Sequence, residues 1–348
     1  MKRFQKLMGL MLALVVLAGC GGQTKAPSGA AQPAAKESPA PAKKEEPVKV
    51  KMSWGKVFQQ THWGDIAQHL DSSVQVEIMD FKTTNDQLFA LQAGSLDFSV
   101  MGYNQLASAL VQGPVEATVI AGLSNAPTRL VSRKGLEIKD WSDLKGKKIG
   151  GARGSTQYMQ ISIAMKKHGV DVNKDIEFVQ FKGAPEMLVG LQQGAVDAIM
   201  IWEPQASQAI VDGFGQDTEV VAKTLYKDSF SSGNAIVVSN KFLKAHPDVV
   251  QKMVNAYYKS YQKVTSDQKY WKETFNKMTG MDMKVLDVAA SNAKPEYWMP
   301  VDEIRMITET MHGLGFLEKN VTDQVLGKLD YSFLEKATGK SKSELGGK

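Results

Sequence analysis

The chain has 348 residues, 43% hydrophobic and 23% charged, with a formal charge of +5. Lys2, Arg3 and Lys6 carry three of those charges, leaving 5 − 3 = +2 for the rest, and no dense basic run follows, so no nucleic-acid partner is expected. Cys20 is the single cysteine, which excludes a disulfide framework and a cysteine-ligated metal site, and the histidines at 62, 69, 168, 246 and 312 lack metal-ligand spacing. No cofactor, metal or catalytic residue is expected, because neither a nucleophile elbow nor a phosphate-binding loop is present.

The first twenty residues read as a secretory signal: three basic residues, an apolar run from Leu7 to Leu17, then Ala18-Gly19-Cys20. The run is shorter than the ~20 residues that span a bilayer. Leu17-Ala18-Gly19-Cys20 resembles the bacterial lipobox, so residues 1–19 are expected to be a lipoprotein signal peptide and Cys20 the lipid attachment. The alternative is an ordinary secreted protein. Residues 20–47 are Gly, Ala, Pro, Ser, Lys and Glu with almost no branched apolar or aromatic side chains, the composition of a linker rather than of a core. The expected location is the outer face of the cell membrane, with the lipid bilayer as partner through Cys20.

The remaining 300 or so residues exceed what one core usually organises. An internal repeat shows how they divide. Glu77 to Asp97 aligns without a gap on Glu177 to Asp197, with identities at Glu77/Glu177, Phe81/Phe181, Lys82/Lys182, Leu88/Leu188, Leu91/Leu191, Gln92/Gln192, Gly94/Gly194 and Asp97/Asp197. Each copy reads as strand, amphipathic helix, terminating Gly and an apolar strand. A further strand and helix precede each copy, at 48–53 with 62–70 and at 147–151 with 155–168. The fold class is therefore α/β, with two βαβ-type lobes. Thr128 to Arg133 and Asn234 to Ser239 would cross between them as a two-strand hinge. The expected lobes are 48–130 plus 237–348, including the C-terminal helices, and 131–236.

Ligands of open parallel sheets bind beyond the carboxyl ends of the strands. Gly154-Ser155-Thr156, with Gln157 after it, follows the strand at 147–151 and opens a helix, where unpaired N–H groups and the macrodipole suit an anion. Ser155 or Thr156 acting only as a helix cap is the competing reading. Trp202-Glu203-Pro204 and Gly102-Tyr103-Asn104 are repeat-equivalent loops on either side of the expected cleft. Trp54 and Thr61-His62-Trp63 add aromatic, hydroxyl and imidazole groups at the end of the first strand. For Glu203, Trp63 and His62 the alternatives are helix-end charge, core and surface cap respectively.

Asp143-Leu144-Lys145-Gly146-Lys147-Lys148-Ile149 leading into Gly154-Ser155-Thr156, then Leu191-Gln192-Gln193-Gly194-Ala195-Val196-Asp197-Ala198 and Trp202-Glu203-Pro204, resemble the type II periplasmic-binding-protein family that serves ABC importers of aliphatic sulfonates, taurine, nitrate and some thiamine precursors. The resemblance covers most of the mature chain. It implies a monomeric hinged clamp whose Gly-Ser-Thr loop holds an anionic group, whose Trp-acid-Pro turn lies across the cleft, and which delivers its solute to a permease. The segment Trp54 to Trp63 departs from the family pattern, leaving the solute open between a sulfonate or nitrate-like anion and a thiamine-pyrimidine precursor. A solute sensor remains a further alternative. The family's pyrimidine-synthesising enzymes are cysteine-rich at their active sites, unlike this chain, so no enzyme activity is expected.

Overall fold

A computed structural model describes residues 46–81, 84–125 and 128–348. The expected signal peptide, Cys20, the linker up to residue 45 and Lys82 of the repeat lie outside the described residues. Alternation starts the first sheet: strand β1 (Val48–Ser53) buries Val50 and Met52 and exposes Lys49 and Lys51. The segment expected as one helix over 62–70 is a single α-turn, α1 (Thr61–Gly64), between two 3-10 turns. Then come β2 (Val74–Met79), α2 (Thr84–Gln92), β3 (Phe98–Gly102), α3 (Tyr103–Gln112) and β4 (Ala117–Asn125). The second lobe runs β5 (Arg129–Arg133), β6 (Lys148–Gly151), α4 (Thr156–Lys167), β7 (Glu177–Gln180), α5 (Ala184–Gln192), β8 (Ala198–Ile201), α6 (Gln205–Val211), β9 (Gly215–Asp217) and α7 (Glu219–Asp228). Strand β10 (Ser232–Ser239) returns the chain to the first lobe. It is followed there by α8 (Asn240–Ala245), α9 (Pro247–Ser266), α10 (Gln268–Thr279), α11 (Met283–Ala289), α12 (Val301–Gly313), α13 (Thr322–Leu326) and α14 (Ser332–Thr338).

The two five-stranded sheets have the same layout, β2-β1-β3-β10-β4 and β7-β6-β8-β5-β9. In each, three strands are parallel and the fourth, β10 or β5, is antiparallel to both neighbours. Each antiparallel strand is the one that has just crossed from the other lobe. Arg129 and Leu130 pair in the second sheet and residues 232–236 in the first, so the chain changes sheet a few residues away from 130/131 and 236/237. Strands cross where ladder hydrogen bonds can be handed over, and that point is set by pairing rather than by local composition.

The identities of the repeat have structural causes. Gly94 and Gly194 follow α2 and α5 at φ +72° and +71°, the left-handed conformation that ends a helix without a side-chain clash. Asp97 and Asp197 each accept the backbone N–H of a neighbouring strand, Lys51 and Lys148, at 2.9 Å. Arg133 pairs with Asp197 at 2.7 Å. In β6, Gly150 leaves room for the ring of Phe181, which a Cβ would meet at 2.6 Å.

The C-terminal helices pack on the first lobe and share its core. Helix α4 serves both lobes, with Met159 and Ile163 in the first-lobe core and Tyr158, Ile161, Ala164 and Met165 in the second. Its buried Gln160 accepts a hydrogen bond from Thr128 Oγ1, just before β5, and donates to the carbonyl of Phe230, just before β10. One amide thus ties both crossings to one helix. Among the described residues no helix is long and apolar enough to cross a membrane, and no cluster of metal-ligating side chains occurs.

Candidate functional site

The ends of six strands, three from each lobe, enclose a cleft of about 450 Å³, continuous in its lining with a smaller recess of about 140 Å³. The first lobe contributes Gly55 and Val57 after β1, Phe81, Gln87 and Leu88 after β2, and Gln105 after β3. The second contributes Arg153, Gly154 and Ser155 after β6, Phe181 and Lys182 after β7, and Trp202 after β8. Trp202 and Ser155 border both spaces, while Thr156 and Gln157 line the recess together with Gln59, Gln60 and Asn234.

The centre of the site is the start of α4. Gly154 takes φ +83°, turning the chain so that Ser155 becomes the N-cap, its Oγ accepting the N–H of Tyr158 at 3.1 Å. The capping reading of Ser155 therefore holds, and it is compatible with a ligand: the N–H groups of the first helical residues, Thr156 and Gln157, have no carbonyl ahead of them in the helix. Facing them is the start of α3, where Gly102 N–H donates to Gln105 Oε1 at 2.8 Å. Thr156 Oγ1 donates to Asn104 Oδ1 at 3.0 Å, and Gln105 Nε2 donates to the Gly154 carbonyl at 3.2 Å. A Cβ on Gly102 would reach 2.6 Å from Asn104 Oδ1 and 2.7 Å from Thr156 Oγ1, so this close approach needs a glycine. The positive ends of two helices meet across the cleft, one from each lobe, an arrangement that attracts negative charge. Arg153 adds a cation on the rim, its guanidinium 4.5 Å from the Phe178 ring centroid and 2.7 Å from Tyr158 Oη.

Five expected site residues lie elsewhere. Trp54 is core, edge-on to Phe275. Thr61 is buried, donating to Phe58 O at 2.6 Å and accepting from Trp271 Nε1 at 2.9 Å. His62 is fully buried against Tyr257, 3.3 Å from its hydroxyl, and burial lowers its pKa to about 3. Tyr103 is buried in the first-lobe core and borders neither space of the cleft. Glu203 is fully buried and paired with Arg129, which also binds Asp217. It accepts Ser207 N–H at 3.1 Å as well, and burial pushes its carboxyl above the ordinary range against the pull of Arg129. These contacts tie the turn after β8 to β5. Trp63, for which core was the alternative, is core and donates to Ser53 O at 2.9 Å.

Phe81 and Phe181, Gln87, Gln105, Arg153 and Lys182 face the cleft without having been singled out. Phe81 and Phe181 carried a usable signal, since both are identical in the repeat and both sit at strand ends. Gln87 is positioned by Ser53 and Ser99, whose hydroxyls donate to its Oε1 at 2.9 and 3.0 Å. Gln59 and Gln60 are nearly fully buried, and the Oε1 of each finds no hydrogen-bond partner among the described residues.

Two α/β lobes of matching strand order, exchanged antiparallel strands and a ligand-sized cleft between them define the periplasmic-binding-protein fold. The alkanesulfonate-binding protein SsuA from Xanthomonas axonopodis pv. citri, solved with MOPS, superposes with a TM-score of 0.68 at 17% identity over 82% of this chain and 99% of that one. The nitrate-binding protein NrtA from Synechocystis PCC 6803 gives 0.72 at 14% identity over 84% and 89%. Residues 70–270 match the family described as NMT1/THI5 like, and the chain belongs to that family. It is 25% identical over 279 residues, 76% of this chain and 79% of the other, to a Bacillus subtilis protein described as an aliphatic sulfonates-binding protein. These relatives are named as solute-binding proteins.

Proposed function

We propose that this chain is the extracytoplasmic binding component of an ABC importer, anchored through a lipidated Cys20, that captures a small organic anion by closing its lobes and hands it to a permease as a monomer. The observation that carries the reading is the meeting of the α3 and α4 N-termini, joined through Thr156 and Asn104. Two such ends repel one another unless negative charge lies beside them. The relatives named for sulfonates and nitrate support an oxyanion head group. Apolar walls from Phe81, Phe181, Leu88, Met101 and Trp202, in a space of about 450 Å³, suit a solute with an organic body.

A thermal-shift screen of residues 48–348 against taurine, alkyl and aryl sulfonates, nitrate and thiamine pyrimidine precursors tests this. A ligand at a hundredfold excess over its Kd stabilises by about 2.7 kcal/mol. A shift with a sulfonate that is lost in Ser155→Ala/Thr156→Ala supports the reading; shifts with neutral compounds alone refute the anion.

A further inference from the structure

The charges on the cleft lining do not balance. Among the described residues Arg153 and Lys182 are the two charged side chains that border either space, and no Asp or Glu borders them. The polar remainder, made of glutamine, serine, threonine and asparagine, is neutral. Neither cation makes an ion pair among the described residues. Arg153 is held by neutral acceptors, Tyr158 Oη at 2.7 Å and Asn173 Oδ1 at 3.2 Å, and its guanidinium lies over the Phe178 ring. Lys182 is exposed, and its ammonium has no hydrogen-bond partner among the described residues. Glu186, four residues on, accepts the backbone N–H of Lys182 at 3.1 Å rather than its side chain.

Strand order fixes where each group stands. The crossing strands β5 and β10 are fourth in their sheets, and β7 and β2 are the edges farther from them. The starts of α3 and α4, where Thr156 meets Asn104, follow β3 and β6, inside those edges. Phe181 and Lys182 follow β7 and Phe81 follows β2, so these three stand at the outer end of the cleft. Gln180 Oε1 accepts the Arg153 N–H at 3.1 Å and holds the loop after β6 against the end of β7. From inside outward the lining is therefore helix ends, then the apolar walls of Leu88, Phe81 and Phe181, then an ammonium. A single anion at the helix ends leaves that ammonium without a counter-ion.

Resting on the anion reading above, we infer that the solute carries two anionic groups, one at each end of an organic body, and that Lys182 selects for the second. The first group sits at the α3 and α4 ends, and the body lies between Phe81 and Phe181. The outer group, a carboxylate or a second sulfonate, accepts a hydrogen bond from Lys182 Nζ as the lobes close. Such a charge-assisted bond gains strength when closure removes water from around it. A zwitterion with an outer ammonium, as in taurine, meets repulsion at the same place, so the site ranks dianion above monoanion above zwitterion.

Calorimetric titration of the full-length chain at pH 7.5 with 4-sulfobenzoate and with benzenesulfonate tests this, since the two differ by one carboxylate that is ionised at that pH. The dianion should bind about fivefold or more tighter. In Lys182→Gln the ratio of the two dissociation constants should fall toward one, and in Lys182→Arg, which keeps the charge, it should persist. An ammonium that merely steers anions to the mouth weakens both ligands together in Lys182→Gln and leaves their ratio unchanged, which overturns the inference. A dianion bound no tighter than the monoanion by the wild type overturns it as well. The pair 3-sulfopropanoate and propane-1-sulfonate repeats the comparison on a shorter body. If monoanions bind and neither dianion does, the second charge is refuted while the anion reading stands; if no anion of either kind binds, the anion reading fails and this inference with it.

Discussion

Replacing His62 by Gln should remove a defined loss of stability on acidification. The ring is fully buried beside Tyr257, whose hydroxyl donates to the carbonyls of Gly122 and Glu296 at 2.5 and 2.8 Å. Burial holds the folded pKa at about 3, against 6.5 for a free imidazole. Between those values the unfolded chain binds a proton that the folded chain refuses, so stability is full above pH 6.5 and falls as pH drops toward 3. At pH 5 the unfolded ring is 1.5 units below its pKa, which costs about 2 kcal/mol. The folded value lies far enough below pH 5 that it barely enters this figure. Glu296 acts in the opposite sense: burial, then repulsion from Glu303, raises its carboxyl to about 7, so it keeps a proton in the fold and gains stability as pH falls through 7. The wild-type profile is therefore flattened, and His62 is isolated only by difference. Urea denaturation followed by tryptophan fluorescence at pH 7.5 and 5.0 should show that His62→Gln loses about 2 kcal/mol less than wild type on acidification. Equal pH dependence of the two proteins would refute a neutral, buried His62.

Ser155→Ala/Thr156→Ala should weaken a bound anion by roughly ten- to a hundredfold while costing only about 1 kcal/mol of stability for the lost cap, measured by calorimetric titration and thermal melting. Trp202→Ala should weaken binding in the same titration with a smaller fall in melting temperature than a core truncation gives, because the ring borders the cleft and only its inner side packs on the second-lobe core. Glu203→Ala should behave inversely to the loop variants, costing about 1 to 3 kcal/mol in urea because Arg129, though still paired with Asp217, loses its buried partner. Its affinity, read in that titration, should fall only as far as Trp202 shifts.

The architecture was legible because its signals are local and repeated: alternation, apolar runs, a helix-ending glycine and the hundred-residue offset all lie within short windows. The first-lobe side of the site was not, and Tyr103 shows one cause. The repeat sets it against Glu203 and sets Gly102 against Trp202, and α3 begins at Tyr103 itself whereas α6 begins three residues after Trp202. Tyr103 is thereby the first residue of a helix and turns inward, while Trp202 stays on a loop. Thr61 and His62 show another. Their partners Trp271 and Tyr257 lie some two hundred residues later, on helices that close over the loop after β1. A loop at a strand end looks available in sequence until distant helices cover it. Glu203 was ambiguous because its counter-ion, Arg129, comes from the crossing strand, and no spacing rule connects the two.

Helix α4 explains how binding and closure can be one event. Its N-terminus meets α3 across the cleft, its Met159 and Ile163 sit in the first-lobe core, and its Gln160 holds both crossings. Lobe rotation cannot leave the helix unmoved, and the helix cannot approach α3 without bringing two positive ends together. On the proposed reading the anion reverses the sign of that contact. Each helix end contributes about 0.3 to 1 kcal/mol toward a neighbouring negative charge. Two ends acting on one anion give about 0.6 to 2 kcal/mol, a bias of roughly three- to thirtyfold toward the closed clamp before any hydrogen bond from Ser155, Thr156 or a backbone amide is added. A neutral solute of the same shape gains none of this, so the helix pair itself selects for charge.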